Sequence, residues 1–153
     1  MATRSTIAIE REDGTVAQVY CHWDGYLDHN GRILLEHYQD PAKVERLIAE
    51  GAISSLKPQI GEKHDFDWHY KRDDIPQDMK DIYETLWTMF YHRDRGEDLR
   101  VDKFWNFDHY RLSADFQGYE YIYRSGKWYV QMNGRSWVSL EEALNDKDAL
   151  EDA

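Results

Sequence analysis

Hydrophobic and polar positions alternate with period two from Thr6 to Glu10, with Ile7 and Ile9 set between polar neighbours. That is the pattern of a strand with one face turned to a core. Glu12-Asp13-Gly14-Thr15 follows. Asp-Gly tolerates the positive φ of tight hairpin turns. The run Thr15 to Cys21 is again rich in β-branched and aromatic residues. The two runs predict a β-hairpin, whose second strand empties into His22-Trp23-Asp24-Gly25-Tyr26.

Further along, the period changes. Asn30 is placed to cap a helix that carries Ile33, Leu34, Leu35 and Tyr38. Asp40-Pro41 supplies a cap and a first-turn proline for a helix over 41–50, with Val44, Leu47 and Ile48 as its apolar stripe and Gly51 beyond its end. Ala52 to Gly61 reads as a connection, and Glu62 to Asp74 has no dominant period. Pro76 opens a helix with Met79, Ile82, Tyr83 and Leu86 on one side. Strand composition over 88–95 follows, then a turn at Gly96-Glu97-Asp98, then a short helix over Phe104 to Ala114. Tyr119–Tyr123 and Lys127–Met132 flank Ser125-Gly126 as a second hairpin, and Ser139 with Glu142 forms a capping box for a final helix with Leu140, Ala143 and Leu144. From Asn145 the chain is acidic, and 145–153 is expected to fray. The expected fold is α+β: one domain over 1–153, a mostly antiparallel sheet built from two hairpins and the 88–95 strand, with helices packed on one face.

Composition narrows the function classes. Lys and Arg number 19 against 30 Asp and Glu, a net charge of −11. That weighs against direct nucleic-acid binding, which needs clustered cations. Aromatic residues make up 14%, with eleven Tyr and six Trp, so some lie near the surface where their polar atoms find partners. Cys21 is alone, which fits a reducing compartment. No apolar run approaches the ~18 residues of a membrane span, and Met-Ala-Thr-Arg-Ser lacks the apolar core of a signal peptide. The expectation is a cytoplasmic protein.

Three polar clusters could carry chemistry: His22 with Asp24; His64, Asp65, Asp67 and His69; and His92, Arg93, Asp94, Arg95 and Glu97. On a strand, His22 and Asp24 share a face, as would His92 and Asp94. Imidazole and carboxylate suit a transition metal, and Arg93 and Arg95 could then hold a phosphate. The spacing of a zinc motif is absent. The ordinary reading is a polar strand edge whose opposite charges pair with each other. No catalytic residue, metal or cofactor is therefore assigned. A ligand site at His22, Asp24, His92, Arg93, Asp94, Arg95 and Glu97, for a small nucleotide or phosphate, stands as the alternative. Cys21 reads as a buried small residue rather than a nucleophile. Tyr119, Tyr121 and Tyr123 read as a sheet face under a helix rather than a base-stacking platform. Trp68-His69-Tyr70, with Asp65 and Asp67, has no helical or strand period to carry it into a core. It is the candidate partner-binding segment.

The blocks Thr3-Arg4-Ser5-Thr6-Ile7-Ala8 and Tyr20-Cys21-His22-Trp23-Asp24-Gly25-Tyr26, with Gly31 and with Gly51 before Ile53-Ser54, occur here in order. Tyr91-His92-Arg93-Asp94-Arg95-Gly96-Glu97 and Gly126-Lys127-Trp128-Tyr129 follow. In these blocks the chain resembles a family of small accessory proteins encoded by tailed bacteriophages. Between Trp68 and Thr88 it is longer and more charged than that pattern. The resemblance implies a phage source, the host cytoplasm, and binding of a bacterial host protein that is thereby inhibited or redirected. It implies no catalytic role for any residue.

Overall fold

The computed structural model describes residues 2–68 and 74–152, with side chains as far as Ala149. The first hairpin is β1 (Ser5–Glu10) and β2 (Val16–Cys21), paired antiparallel from Ser5 opposite Cys21 to Glu10 opposite Val16. Its turn is closed by the Asp13 carboxylate, which accepts from both the amide and the hydroxyl of Thr15, with Gly14 at φ +88°. A one-turn π-helix (Leu27–Gly31) leads into α1 (Arg32–His37), and α2 (Pro41–Ala49) begins under the Asp40 cap, whose carboxylate accepts from the Ala42 amide. The second hairpin is β6 (Tyr119–Arg124) with β7 (Lys127–Met132), and α6 (Leu140–Asp152) closes the chain.

These elements form a mixed eight-stranded sheet, so the fold is α+β. The mostly antiparallel expectation needs one correction at the centre. The two hairpins meet edge to edge through β1 and β6, and that pairing is parallel, Thr6 opposite Glu120 to Ile9 opposite Tyr123. The long excursion between the hairpins carries the chain back to the same end, which is what a parallel neighbour demands. A second parallel pair joins Cys21 on β2 to Ile53 on β3 (Ile53–Ser55), a strand inside the stretch expected to be a plain connection.

The 88–95 strand is also corrected. Only β4 (Met89–Phe90) is extended, and it pairs with β3. Tyr91–Arg95 is a helical turn, α4. The turn forms because the Asp94 carboxylate reaches back to the Phe90 amide at 2.8 Å and satisfies one of the donors a helix start leaves open. Gly96, at φ +82°, then ends it in the left-handed conformation. Before β4, α3 (Gln77–Thr85) follows Pro76; after α4, β5 (Asp102–Phe104) precedes α5 (Phe107–Ser113). The last strand, β8 (Val138–Ser139), pairs with β7.

Helices cover both faces, not one. The larger core buries Ile7, Ile9, Ala17, Val19, Tyr121, Tyr123, Trp128 and Val130 from the sheet under Leu34, Val44, Leu47, Ile48, Leu140 and Leu144 from the helices. On the back face, Ala8, Val16 and Ile122 are covered by Tyr110 of α5, with Phe104, Phe107, Phe116 and Trp137 around it. The stretch from Asn145 continues as helix. Its first turns are tied to the chain near Leu27 by ion pairs of Asp148 with Arg32 and of Lys147 with Asp28. Among the described residues no helix is long and apolar enough to cross a membrane.

Val44 is fully buried on the α2 stripe. Val44→Asp places an unpaired carboxylate there and is expected to destabilise the domain by roughly 3 kcal/mol; a denaturant melt with an unshifted midpoint would contradict this core assignment.

Candidate functional site

The two polar blocks that drew attention in the sequence are built into the frame. In the first, His22 is half-buried and its Nδ1 pairs with the Tyr20 hydroxyl at 2.7 Å. Asp24 turns at φ +57°, and its carbonyl accepts from the Asn30 amide. Asn30 is fully buried, and its Nδ2 donates toward Ser5 Oγ, Cys21 Sγ and the Trp23 carbonyl. Gly25 lies so close to Ser5 that a Cβ would sit 2.6 Å from the Ser5 Cβ, and the Gly25 carbonyl accepts from the Tyr121 hydroxyl. Burial pushes the Cys21 thiol up to about 11, so it stays protonated near neutral pH.

In the second block, Arg93 makes five hydrogen bonds. Nε and one NH2 reach the two Asp94 oxygens, NH1 reaches the carbonyls of Ile60 and Gly61, and NH2 reaches the Thr88 carbonyl. A guanidinium has five N–H donors, so none is left for a phosphate. The Asp94 carboxylate is buried and also accepts from the amides of His64 and Phe90. His92 is exposed and on a helical turn, not on one strand face with Asp94; its Nδ1 is 2.8 Å from the Glu97 carbonyl. Arg95 pairs with Glu97 at 3.3 Å on the surface, and its guanidinium also lies over the Phe66 ring.

The structure does not gather the candidate ligand side chains in one pocket, although Tyr20 and Tyr91 of the two blocks line a common cavity. Glu97 lines a cavity with Tyr20, Ala52, Tyr91, Gly96, Asp98 and Arg100, and none of His22, Asp24, His92, Arg93, Asp94 or Arg95 lines it. Among the described residues no three His, Cys, Asp or Glu side chains are grouped to hold a metal ion. His64 is buried, stacked on Tyr83 at 4.6 Å. Asp65 accepts from the Asp67 amide, Asp67 is exposed and Trp68 is half-buried; His69 and Tyr70 lie outside the described residues.

Two features that the sequence reading missed stand out instead. The first is an exposed apolar pair. The α5 stripe that faces the sheet is Phe107, Tyr110 and Ala114. Trp105 and Leu112 fall off that stripe and are 80% and 74% exposed. The phase of the stripe against these two residues is a signal the sequence carries.

The second is a polar cleft on the back face. The outer edge of β2 is divided: β5 pairs antiparallel with Val16 to Gln18, and β3 pairs parallel at Cys21. Among the described residues no strand pairs with Val19 or Tyr20 on that side. A cavity of about 280 Å³ opens there, lined by Thr6, Gln18, Tyr20, Ala52, Arg100, Asp102, Asp115 and Gln117. It shares Tyr20, Ala52 and Arg100 with the Glu97 cavity. Its floor belongs to a row of polar side chains, Tyr20, Thr6, Glu120 and Gln131, at matched positions across four strands. Thr6 Oγ1, Gln18 Oε1, Tyr110 OH and Gln131 Oε1 are buried there with no hydrogen-bond partner. The Thr6 hydroxyl lies near both Glu120 and Tyr110 without hydrogen-bond geometry to either. Burial raises the Glu120 carboxyl pKa, and the amides of Gln117 and Gly118, which donate to the carboxylate, oppose that rise.

No family model, curated protein or solved structure matches this chain.

Two outcomes follow from this geometry. Asp94→Ala leaves the Arg93 guanidinium without its buried counter-charge and is expected to cost about 3–5 kcal/mol, whereas Arg95→Ala, at an exposed pair, costs only ~0–1 kcal/mol; equal losses in denaturant melts would contradict the difference drawn between the two pairs. Glu120 has a folded pKa above its ordinary value of 4.5. Its carboxyl therefore binds its proton more tightly in the folded state, so its contribution is fully present below that value and is lost as pH rises through the raised one. The stability of the native protein relative to Glu120→Gln is expected to fall as pH is taken upward from about 4; a flat or rising difference would show that the carboxylate is not penalised by burial.

Proposed function

We propose that the chain is an interaction protein, a phage accessory protein that binds a bacterial host protein and inhibits or redirects it. The phage-like blocks motivate the source and the host cytoplasm. The observation that supports the binding reading is the exposure of Trp105, just before α5, and of Leu112, near its end. Tryptophan is among the side chains that most often contribute the bulk of an interface's affinity. Trp105 is also held in place: its amide donates to His109 Nδ1, and the Asn106 side chain caps α5 by accepting from the His109 amide.

The exposure of Trp105 favours an anchor beside α5 over one at Trp68, whose half-burial leaves less surface to offer a partner. Exposed Asp67 can contribute charge at a rim, with Asp65 beside it. The net charge of −11 favours encounter with a basic partner surface, while exposed ion pairs add little to affinity. The partner's matching feature is an apolar pocket able to take an indole.

The phosphate or metal-hydrolase alternative at His92, Arg93, Asp94, Arg95 and Glu97 has less support, because Arg93 and Asp94 are saturated by the frame. The test is capture from bacterial lysate, then binding kinetics with the captured protein. Trp105→Ala is expected to weaken binding by roughly 2 kcal/mol or more through faster dissociation, with the melting midpoint unchanged. Added salt is expected to slow association alone. Undiminished affinity in both Trp105→Ala and Leu112→Ala would overturn the reading.

A further inference from the structure

We infer that the split edge of β2 is a binding site for a small zwitterion, a molecule of amino-acid size bearing an ammonium and a carboxylate. Three observations converge on it. The cavity is modest: about 280 Å³, at the small end of ligand pockets and too small for a drug-sized molecule.

Its floor is chemically incomplete. Gln18 is 2% exposed and Thr6 is 1% exposed, and each carries a buried oxygen with no hydrogen-bond partner. Such groups in a folded interior are ordinarily satisfied, by protein, by water or by a ligand. The Gln18 amide oxygen is an acceptor, so the occupant it calls for is a donor. Its terminal amide also has a broad torsional preference, so it can turn toward an occupant at little expense.

Third, the walls carry both signs of charge in unused form. Arg100, Asp102 and Asp115 line the cavity, and among the described residues none of them is in an ion pair or side-chain hydrogen bond. Arg100 can take a carboxylate through its planar fork. Asp102, which is Gln18's cross-strand neighbour, and Asp115 can take an ammonium, with Gln18 Oε1 as a further acceptor. The Tyr20 ring and Ala52 supply apolar wall for a side chain, which can extend into the adjoining Glu97 cavity. A nucleotide is a poorer occupant, since its phosphates would meet two carboxylates and one cation. An amine without a carboxylate leaves Arg100 unused.

The experiment is isothermal titration calorimetry of the full chain with a panel of L-α-amino acids, and with putrescine, acetate and AMP as separate arms. At least one amino acid is expected to bind saturably and more tightly than all three controls. Arg100→Ala and Asp115→Asn, both at exposed positions and so compatible with folding, are each expected to weaken that binding about tenfold or more. Gln18→Leu, which fills the same space without the acceptor, is expected to weaken it as well, with circular dichroism to confirm the fold. The inference is overturned if no amino acid binds saturably, which would leave the orphaned oxygens to ordinary buried water. It is also overturned if binding survives unchanged in both charge variants, or if putrescine or AMP binds better than every amino acid.

Discussion

Burial of β1 on both faces is the constraint from which most of the structure follows. It lies between β2 and β6, with the α1, α2 and α6 layer over one face and α5 with its aromatic neighbours over the other. A strand in that position can hold apolar side chains at no penalty, and each polar one must find a partner. Ile7 and Ile9 meet the first condition toward the larger core. On the other face Ala8 continues the apolar patch, and Thr6 does not. The same break runs across the neighbouring strands at the same level, through Tyr20, Glu120 and Gln131. The back face is therefore half core and half polar floor, and the cleft stands over the polar half.

The larger core solves the same problem in a different way. Its aromatic residues carry polar ends into a dry layer, and those ends are bound to loop carbonyls. Tyr121 donates to Gly25, Tyr123 to Gln39, Tyr38 to Lys57, and the Trp128 indole to Tyr38. Burial pushes the Tyr38 phenol up to about 12, so it remains a donor near neutral pH. These four bonds pin the segments that follow β2, α1 and β3 onto the sheet. They give a buried role to three of the eleven Tyr and one of the six Trp, residue types that in composition alone pointed in part to the surface. Asn30 does the same work with an amide, joining the start of β1 to the end of β2.

The sequence was legible where one period or one cap decided the outcome. The Asp13-Gly14 hairpin, the Asp40-Pro41 helix with its Val44, Leu47 and Ile48 stripe, and the Ser125-Gly126 hairpin are local features, and they stand in the structure as read. The misreadings arose where a tertiary partner overrode local composition. Tyr91–Arg95 has strand-like residues, yet the Asp94 carboxylate bonded to the Phe90 amide and to Arg93 turns it into a helix. The parallel joining of β1 to β6 depends on how the intervening chain returns, which no window of residues encodes. For the candidate site, His22, Asp24, Arg93 and Asp94 drew attention as reactive types. Reactive types are also the ones a frame needs where buried backbone groups have to be satisfied, and periodicity alone does not distinguish the two uses. Gln18 and Thr6 gave the opposite difficulty. As polar residues on strands they carry no sign of burial in the sequence, yet in the fold they are almost fully buried.

The excursion between α4 and β6 explains why both proposed surfaces lie on one side of the molecule. Beyond Gly96 the chain must cross from the β4 edge to the back of the sheet. It does so by pairing β5 with Val16 to Gln18, which stops short of Tyr20 because β3 already occupies the edge at Cys21. That competition for one strand edge leaves the gap that becomes the cleft. It also delivers Phe104, Phe107 and Tyr110 onto Ala8, Val16 and Ile122, and this fixes the rotation of α5 about its axis. With that rotation set, Leu112 falls off the covered stripe and is exposed, as is Trp105 just before the helix. The polar cleft and the apolar pair are therefore two consequences of a single packing choice. A change that shifts β5 along β2 would move both together, whereas changes at Arg100 or Trp105 leave that register alone and touch one surface each.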